Sequence, residues 1–331
     1  MKILLIGDVH LTNPNNHPSS CTSSYTDDLF GLLYQASDLA KELGATAIVQ
    51  AGDFFHIKAP GRNSHQLIQR AMQWLSDCSV PVAIVPGNHD LLNDRLASLD
   101  EGQPLGVLFS SGLAIKADGY ILIPKDDITG ADPYIPVFGL PWQQLWDAEQ
   151  SVADQAVKAA LKSYEPKDTP QLIVTHAPFF PLGENPAYEH FSVEKFANYL
   201  GNRGSVYYGH IHDPHGEYVV NGVRFCNNGA LSRGSLTESN LSRKVGVTSW
   251  DSITGAFEFH ELNARPATEV FRVKEVTELK QQQLTLDAFL NSVGRSSIEM
   301  TSIEAVMDKI RSMQLGKDLE NIIEELLTSV E

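Results

Sequence analysis

The chain has 331 residues, of which 42% are hydrophobic and 20% charged, so it holds enough apolar material for a folded core and is not predicted to be disordered. Lys and Arg total 25 against 41 Asp and Glu, and the net charge of −16 excludes a protein that grips nucleic acid mainly through a basic surface. The three cysteines are widely spaced without a C-x-x-C pair, which excludes a disulfide scaffold and a cysteine-built zinc site.

The first two thirds of the chain alternate apolar runs with helical patterns. The opening run, residues 2–7, is short and lacks a small-residue cleavage site, so it is predicted to be a strand and not a leader. Further buried strands are predicted at 46–51, 81–86, 136–140, 171–175 and 205–208, and helices at 26–43, 64–78 and 150–163. No stretch approaches the roughly 18 apolar residues of a membrane span. We therefore expect a cytoplasmic α/β protein with no membrane partner.

Beyond residue 217 the pattern changes to hairpins and then to helices. Strands 217–220 and 223–226 flank Asn221-Gly222, which favours a tight primed turn. A second hairpin is predicted from 245–250 and 256–262, followed by a short strand near 268–273. In the tail, apolar residues recur at helical spacing on both sides of Gly316 and predict a helical hairpin; they are Ile303, Val306, Met307, Ile310, Met313, Leu319, Ile322, Ile323, Leu326 and Leu327.

A short polar motif directly follows each of five predicted strands. The motifs are Asp8-Val9-His10, Gly52-Asp53, Gly87-Asn88-His89-Asp90, His176 and Gly209-His210-Ile211-His212. Ligands gather at the carboxyl ends of strands in open α/β sheets, so the five motifs are expected to converge on one crevice. Asp, Asn and His without thiolate suit manganese, iron or zinc in octahedral geometry. Seven ligands are too many for one ion that keeps an open coordination position. They fit two ions about 3.5–4 Å apart, with Asp53 as the expected bridge.

The ordered set D-x-H, G-D, G-N-H-D, H and G-H-x-H resembles the signature of the calcineurin-like metallophosphoesterases. The resemblance implies an α/β fold, a two-sheet sandwich flanked by helices, with a small C-terminal cap and a helical tail. It implies one metal ion held by Asp8, His10, Asp53 and His212, and another held by Asp53, Asn88, His176 and His210. It also implies that His89 is not a ligand and protonates the leaving oxygen, with Asp90 as a partner that orients such groups.

Within that superfamily the sequence looks like the SbcD-type DNA repair nucleases, the family of the meiotic-recombination double-strand-break nuclease. Phe54-Phe55-His56 places a histidine where the protein Ser/Thr phosphatases carry Asp-Arg-Gly. Residues 227–235 resemble the family's Pro-Gly-Ser-x-x-Arg stretch, and residues 137–142 resemble a segment before its long helix. By analogy, His56 lies beside His89 and helps to place the phosphate. The sequence departs from the family at Asn228, where Pro is usual, and at Thr12, where Gly is usual.

The resemblance covers residues 1–262, the expected nuclease domain, and implies a manganese-dependent DNA exo- or endonuclease subunit of a compact bacterial or phage type. It implies a homodimer that works with an SMC-like coiled-coil ATPase. Residues 263–280 are predicted as a reduced capping segment and 281–331 as a helical tail, which docks on the ATPase or folds onto its own domain. Two other functions stay open: a small-molecule phosphatase or cyclic-nucleotide phosphodiesterase, and a non-catalytic scaffold.

Other conspicuous residues are expected to serve the fold. Phe54, Phe55 and Trp142 are expected to form wall and core, and Cys78 to be an inert buried thiol. Arg233 and Arg243 either contact phosphate or hold a loop. The histidines that match no motif are expected to be structural or at the surface; they are His17, His65, His190, His215 and His260.

Overall fold

Short apolar strands assemble into two mixed six-stranded sheets in the computed structural model. The structure describes residues 1–124, 134–143, 146, 150–167, 170–184, 186 and 190–273. Contacts divide the chain into one unit, Met1–Phe271, and a second, Arg272–Glu331. The predicted helical tail and residues 274–280 of the predicted capping segment lie outside the described residues.

The strands and helices alternate through most of the described chain. The strands are β1 Lys2–Ile6, β2 Ala45–Gln50, β3 Val82–Ile84, β4 Ile115–Lys116, β5 Gly119–Pro124, β6 Tyr134–Leu140, β7 Leu172–His176, β8 Ser205–Gly209, β9 Gly216–Val220, β10 Val223–Asn227, β11 Gly246–Asp251 and β12 Phe257–Glu261. The helices are α1 Tyr25–Glu42, α2 His65–Asp77, α3 Pro104–Ser110, α4 Gln150–Ala160, α5 Val193–Tyr199, α6 Glu238–Ser242 and α7 Ala267–Val270.

The strand order brings the ends of the central parallel strands to one edge of each sheet. The first sheet has the order β12-β11-β1-β2-β3-β4, in which β1 to β4 are parallel. The second has the order β5-β6-β7-β8-β10-β9, in which β6, β7, β8 and β10 are parallel. In register, Ile6 pairs with Gln50 and His176 pairs with Gly209. Residues that follow these strands therefore start from neighbouring positions.

The main hydrophobic core lies between the two sheets. Ile3 and Leu5 of β1 pack in one buried cluster with Val137 and Val174 of the second sheet. The alternate residues of β1, such as Leu4, are also fully buried, and α1 packs against β1 and β2. These strands are covered on both faces, which explains why their sequences are unbroken apolar runs.

The predicted fold class is confirmed, and the six predicted central strands are present with bounds that shift by at most two residues. The hydroxyl of Ser64 caps α2 by accepting the Leu67 amide at 3.1 Å. The turn between β9 and β10 has φ of 49° at Asn221 and 82° at Gly222, the positive pair that a primed turn needs. Among the described residues, no helix has both the length and the apolar character needed to cross a bilayer.

One predicted strand is wrong. Residues 268–273 do not pair as a strand, because Pro266 starts the short helix α7, in which the Val270 amide donates to the Pro266 carbonyl. Phe271, which follows the helix, is extended and forms an isolated bridge with Cys21. The sequence prediction also omitted β4, β5, α3, α5 and α6, although Pro104 at the first turn of α3 is a recognised helix start.

Candidate metal centre

Polar side chains follow five strand ends, three in the first sheet and two in the second. Asp8, Asp53 and Asn88 follow β1, β2 and β3, while His176 ends β7 and His210 follows β8. The first two loops are joined by their main chain, because the amides after Asp8 donate to the Asp53 carbonyl at 3.2 and 2.9 Å. Side chains far apart in sequence therefore meet at one place.

The first donor group consists of Asp8, His10 and His212. The Nε2 atom of His212 lies 3.3 Å from Asp8 Oδ2 and 2.9 Å from His10 Nε2. The Nε2 atom of His10 lies 4.0 Å from Asp8 Oδ2. One nitrogen or oxygen from each of the three residues lies within 4.8 Å of the others, which is the spacing of ligands around a single ion.

The second donor group consists of Asn88, His176 and His210. The amide oxygen of Asn88 lies 3.0 Å from His176 Nε2 and 3.2 Å from His210 Nδ1. The other nitrogen of His176, Nδ1, donates to the carbonyl of Ala51 at 2.8 Å. That bond leaves Nε2 as the nitrogen that faces the other donors.

Asp53 stands between the two donor groups and presents one carboxylate oxygen to each. Its Oδ2 lies 3.6 Å from His10 Nε2, and its Oδ1 lies 3.4 Å from His176 Nε2. The side chain is almost fully buried, at 2% exposure. This is the geometry expected of a carboxylate that bridges two ions.

The two buried carboxylates depend on histidines for charge balance. Among the described residues, Asp8 and Asp53 form ion pairs with histidines and with no Lys or Arg. Burial raises the pKa of Asp53, but the neighbouring histidines, His176 first among them through its charge and its hydrogen bond, together outweigh burial and hold that pKa well below its usual value. Burial lowers the pKa of His176, but Asp53 reverses this and raises it to about 9.

The donor set suits divalent cations. Burial lowers the pKa of His10 to about 3 and that of His210 to about 4, so both rings are neutral and can offer lone pairs at neutral pH. Carboxylate, amide and imidazole donors are those that manganese, iron and zinc accept. The neutral rings of His10 and His210 add no positive charge beside the two carboxylates, whereas divalent cations held among these donors would supply it.

The predicted acid, His89, lies beside this cluster. Its Nδ1 lies 2.7 Å from the carbonyl oxygen of His56 and, because a carbonyl only accepts, this nitrogen donates. The backbone amide of His89 donates to Asp53 Oδ1 at 2.7 Å. The ring lies edge-on to His10, with centroids 4.8 Å apart. The predicted neighbour His56 stacks on His89 at 5.4 Å with an interplanar angle of 15°.

Asp90 holds the loops in place and does not face the donors. Its Oδ2 accepts the amides of Gly87 at 3.0 Å and Phe54 at 3.2 Å, and its Oδ1 accepts the amide of Phe55 at 3.1 Å. Burial, followed by the charge of Asp53, raises the pKa of Asp90 to about 7. The carboxylate thus ties the loop that carries Asn88 and His89 to the loop that carries Asp53.

Three donors have a backbone conformation that is uncommon for residues with side chains. The φ angles are 52° at His10, 54° at Asp53 and 85° at His210. Each such backbone conformation destabilises the fold by about 1–3 kcal/mol and persists only where contacts with the surrounding residues hold it. Strain of this kind concentrates at functional sites.

Glycines let the loops approach closely, and Gly87 gives a testable case. An added Cβ at Gly87 would overlap the amide nitrogen and Oδ1 of Asp53. We expect Gly87→Ala to destabilise the fold by about 1–3 kcal/mol, as overpacked substitutions do, and to weaken metal binding by displacing Asp53. Gly31→Ala is the matched control, because nothing lies within 4 Å and the site is in α1, where Ala stabilises by about 1 kcal/mol. Chemical denaturation measures both changes, and equal stability of the two variants would contradict the steric argument.

Two supporting residues were missed by the sequence prediction. The amide group of Gln50 donates to the carbonyls of Gly7 and Gly52, and its oxygen accepts the Gly52 amide. Asn227 donates to the carbonyls of Tyr208 and Ile211, which fixes the loop that carries His210 and His212. A polar residue inside a fully buried strand, as Gln50 is in β2, is a sequence signal that could have pointed to such a role.

The remaining sequence candidates have structural contacts. Arg243 donates to the carbonyls of Ala230 and Ser232, and Arg233 donates to the carbonyl of Arg265, so both hold loops. Phe54 and Phe55 are buried core residues, as predicted. Cys78 is only partly buried, so its predicted burial is wrong; as the cap of α2 it lies at a helix end.

Comparisons with known proteins give a family and several solved structures of low sequence identity. A family model described as calcineurin-like phosphoesterase matches residues 1–214. The crystal structure of TT1561 of Thermus thermophilus is 16% identical with a TM-score of 0.48, and the match covers 78% of this chain and 98% of that one. A dimetal phosphatase from Danio rerio is 15% identical with a TM-score of 0.44, with 80% of this chain and 97% of that one covered. No curated protein gives a significant match.

Proposed function

The chain belongs to the calcineurin-like phosphoesterase family, and on that premise we propose that it is a metal-dependent nuclease that hydrolyses phosphodiester bonds in DNA end processing, repair or recombination. The observation that carries the proposal is the pair of donor groups that share Asp53, with His89 and His56 stacked at their edge. The His56 position supports the SbcD-type relationship, because His56 lies against the proposed acid and can help to place a phosphate.

Two divalent ions, expected to be manganese, are the proposed cofactors. The first donor group and Asp53 would hold one ion, and the second donor group and Asp53 would hold the other. When bound, such ions polarise the phosphoryl group and make water a stronger nucleophile at neutral pH. The cluster opens to solvent at His212, whose side chain is 46% exposed, so a substrate can reach it from that side.

His89 is the proposed general acid. Its Nδ1 is engaged with the His56 carbonyl, so Nε2 is the nitrogen available for proton transfer. As the water oxygen forms a bond to phosphorus and gives up a proton to solvent, the bond from phosphorus to the sugar oxygen breaks, and the Nε2 proton passes to the departing oxygen. Such proton transfer contributes typically 10²–10⁴-fold to the rate. The stack with His56 fixes the ring plane in which this proton lies.

A side-by-side assay of end-labelled duplex DNA and para-nitrophenyl phosphate tests the function. With manganese we expect cleavage of DNA and little hydrolysis of the monoester. Hydrolysis of the monoester or of a cyclic nucleotide without DNA cleavage would instead favour the small-molecule phosphatase. A chain that binds no metal and cleaves neither substrate would favour the scaffold.

The proposed partner is an SMC-like coiled-coil ATPase, and the proposed assembly is a homodimer. The net charge of −16 supports dependence on a partner, because duplex affinity rises with the number of phosphates that cations neutralise. We expect weak duplex binding by the isolated chain and stimulated cleavage when the chain is purified with an ATPase encoded beside it. Nanomolar duplex binding by the isolated chain near physiological salt would contradict this dependence.

Proton release tests the metal centre independently of any substrate. In the metal-free chain the pKa of His176 is about 9, so its ring carries a proton at neutral pH, whereas a ligand must be neutral. We expect manganese binding to release about one proton from this ring at neutral pH, and affinity to rise with pH and level off above about 9, where the ring has lost its proton. Titration calorimetry in buffers of different ionisation enthalpy measures the release. His176→Asn should reduce it, His260→Asn should leave it unchanged, and binding without proton release would contradict the assignment.

A further inference from the structure

Trp142 lies two residues after the end of β6, and its contacts converge on the second donor group. Its ring lies tilted against the ring of His210, with centroids 4.8 Å apart and an interplanar angle of 32°. The same ring meets His176 edge-on at 6.0 Å and 68°. Its backbone amide donates to the carbonyl of Pro86 at 2.9 Å, two residues before Asn88. One residue thus contacts both histidines and the loop of the amide donor.

The three members of the second donor group come from three different strands in two sheets. Asn88 follows β3 of the first sheet, while His176 and His210 belong to β7 and the loop after β8 of the second. The first donor group is packed differently, because the ring of His10 is surrounded by other histidines: His56, His89 and His212.

His210 needs a restraint beyond its own backbone. Its φ of 85° is uncommon for a residue with a side chain, and its ring bonds Asn88, itself a member of the same group. The indole of Trp142 is only 6% exposed and covers this ring. Its Nε1 is buried without a hydrogen-bond partner among the described residues, so ring packing and the backbone bond to Pro86 hold the indole.

We propose that Trp142 is a positioning residue for the second metal ion, which it serves by fixing the rings of His210 and His176 and the loop of Asn88. The proposal rests on the two-ion centre of the proposed function. It goes beyond that function because it makes the affinity for the second ion, and not for the first, depend on a residue that is not a ligand.

Manganese binding to three variants tests the proposal. We expect Trp142→Ala to bind the first ion normally and the second about 10- to 100-fold more weakly, the usual effect of removing a residue that orients a ligand. Trp142→Phe keeps a flat ring and removes a buried unpaired donor, so it should bind both ions and be at least as stable. Trp146→Phe is the matched control, since Trp146 is also buried with an unpaired Nε1 among the described residues but packs among Phe179, Phe191 and Phe196.

The number of bound ions is measured from the electron paramagnetic resonance signal of free Mn²⁺, and circular dichroism checks that each variant folds. If Trp142→Ala does not fold, Trp142→Leu replaces it. Tryptophan fluorescence provides a second readout, because a paramagnetic ion quenches an indole beside it. We expect quenching when the second ion binds, its loss in Trp142→Phe and its retention in Trp146→Phe. Wild-type affinity for both ions in Trp142→Ala, or undiminished quenching in Trp142→Phe, overturns the role of Trp142. A wild-type chain that binds no ion overturns the proposed function as well.

Discussion

His89→Asn is expected to lower the rate of DNA cleavage by about 10²–10⁴-fold while two manganese ions still bind. Asparagine cannot supply the proton that the departing sugar oxygen needs. Its side-chain amide can still donate to the His56 carbonyl, and the backbone amide at this position can still donate to Asp53 Oδ1. The substitution therefore removes the acid and retains the contacts that place the loop.

The leaving group provides the sharpest readout for His89. A bis-para-nitrophenyl phosphodiester releases a stable nitrophenolate that needs no proton, so His89→Asn should affect this substrate far less than DNA. His65→Asn is the control, because His65 is exposed at the start of α2. An equal loss on both substrates would show that His89 serves metal or substrate binding and not proton transfer, and full activity on DNA would exclude it as the acid.

Asp53→Asn is expected to disturb both ion positions at once. The carboxylate presents one oxygen to each donor group, so its loss weakens both ion positions, and we expect at most one ion per chain. Two ions together stabilise the transition state by several kcal/mol, so cleavage should fall by about 10³-fold or more. Metal analysis of the dialysed protein and the rate of DNA cleavage measure the two effects.

Asparagine at position 53 keeps an oxygen that can accept the His89 amide, so the variant should fold. Asp38→Asn is the control, because Asp38 is a carboxylate of α1 away from the donor groups. Two tightly bound ions in Asp53→Asn would mean that the carboxylate does not bridge, and the assignment of the two donor groups would need revision.

The sequence predicted the convergence of the site because each motif follows a short apolar run of the kind that is typical of buried strands. Asp8, Asp53, Asn88, His176 and His210 all follow or end such strands in the structure. The roles assigned to these residues remain predictions. The resemblance to known motifs carried more of the functional interpretation than composition did.

Other features depend on long-range contacts that no local pattern encodes. The two oxygens of Asp53 face different donor groups only because loops from both sheets meet. The hydrogen bonds that the Asp90 carboxylate accepts from the amides of Phe54 and Phe55 join two separate loops, and no periodic pattern in the sequence indicates them. Likewise, α7 was predicted as a strand because its apolar residues fit either structure, and Pro266 decided the outcome.

Because the donors are divided between the two sheets, a bound metal ion would link the two layers of the fold. Asp8, Asp53 and Asn88 follow strands of one layer, whereas His176 and His210 belong to the other, so neither layer alone can chelate an ion well. A ligand that binds only the native state raises the free energy of unfolding by RT ln(1 + [L]/Kd). A shortage of divalent cations would therefore shorten the lifetime of this chain against proteases, in addition to removing the proposed activity.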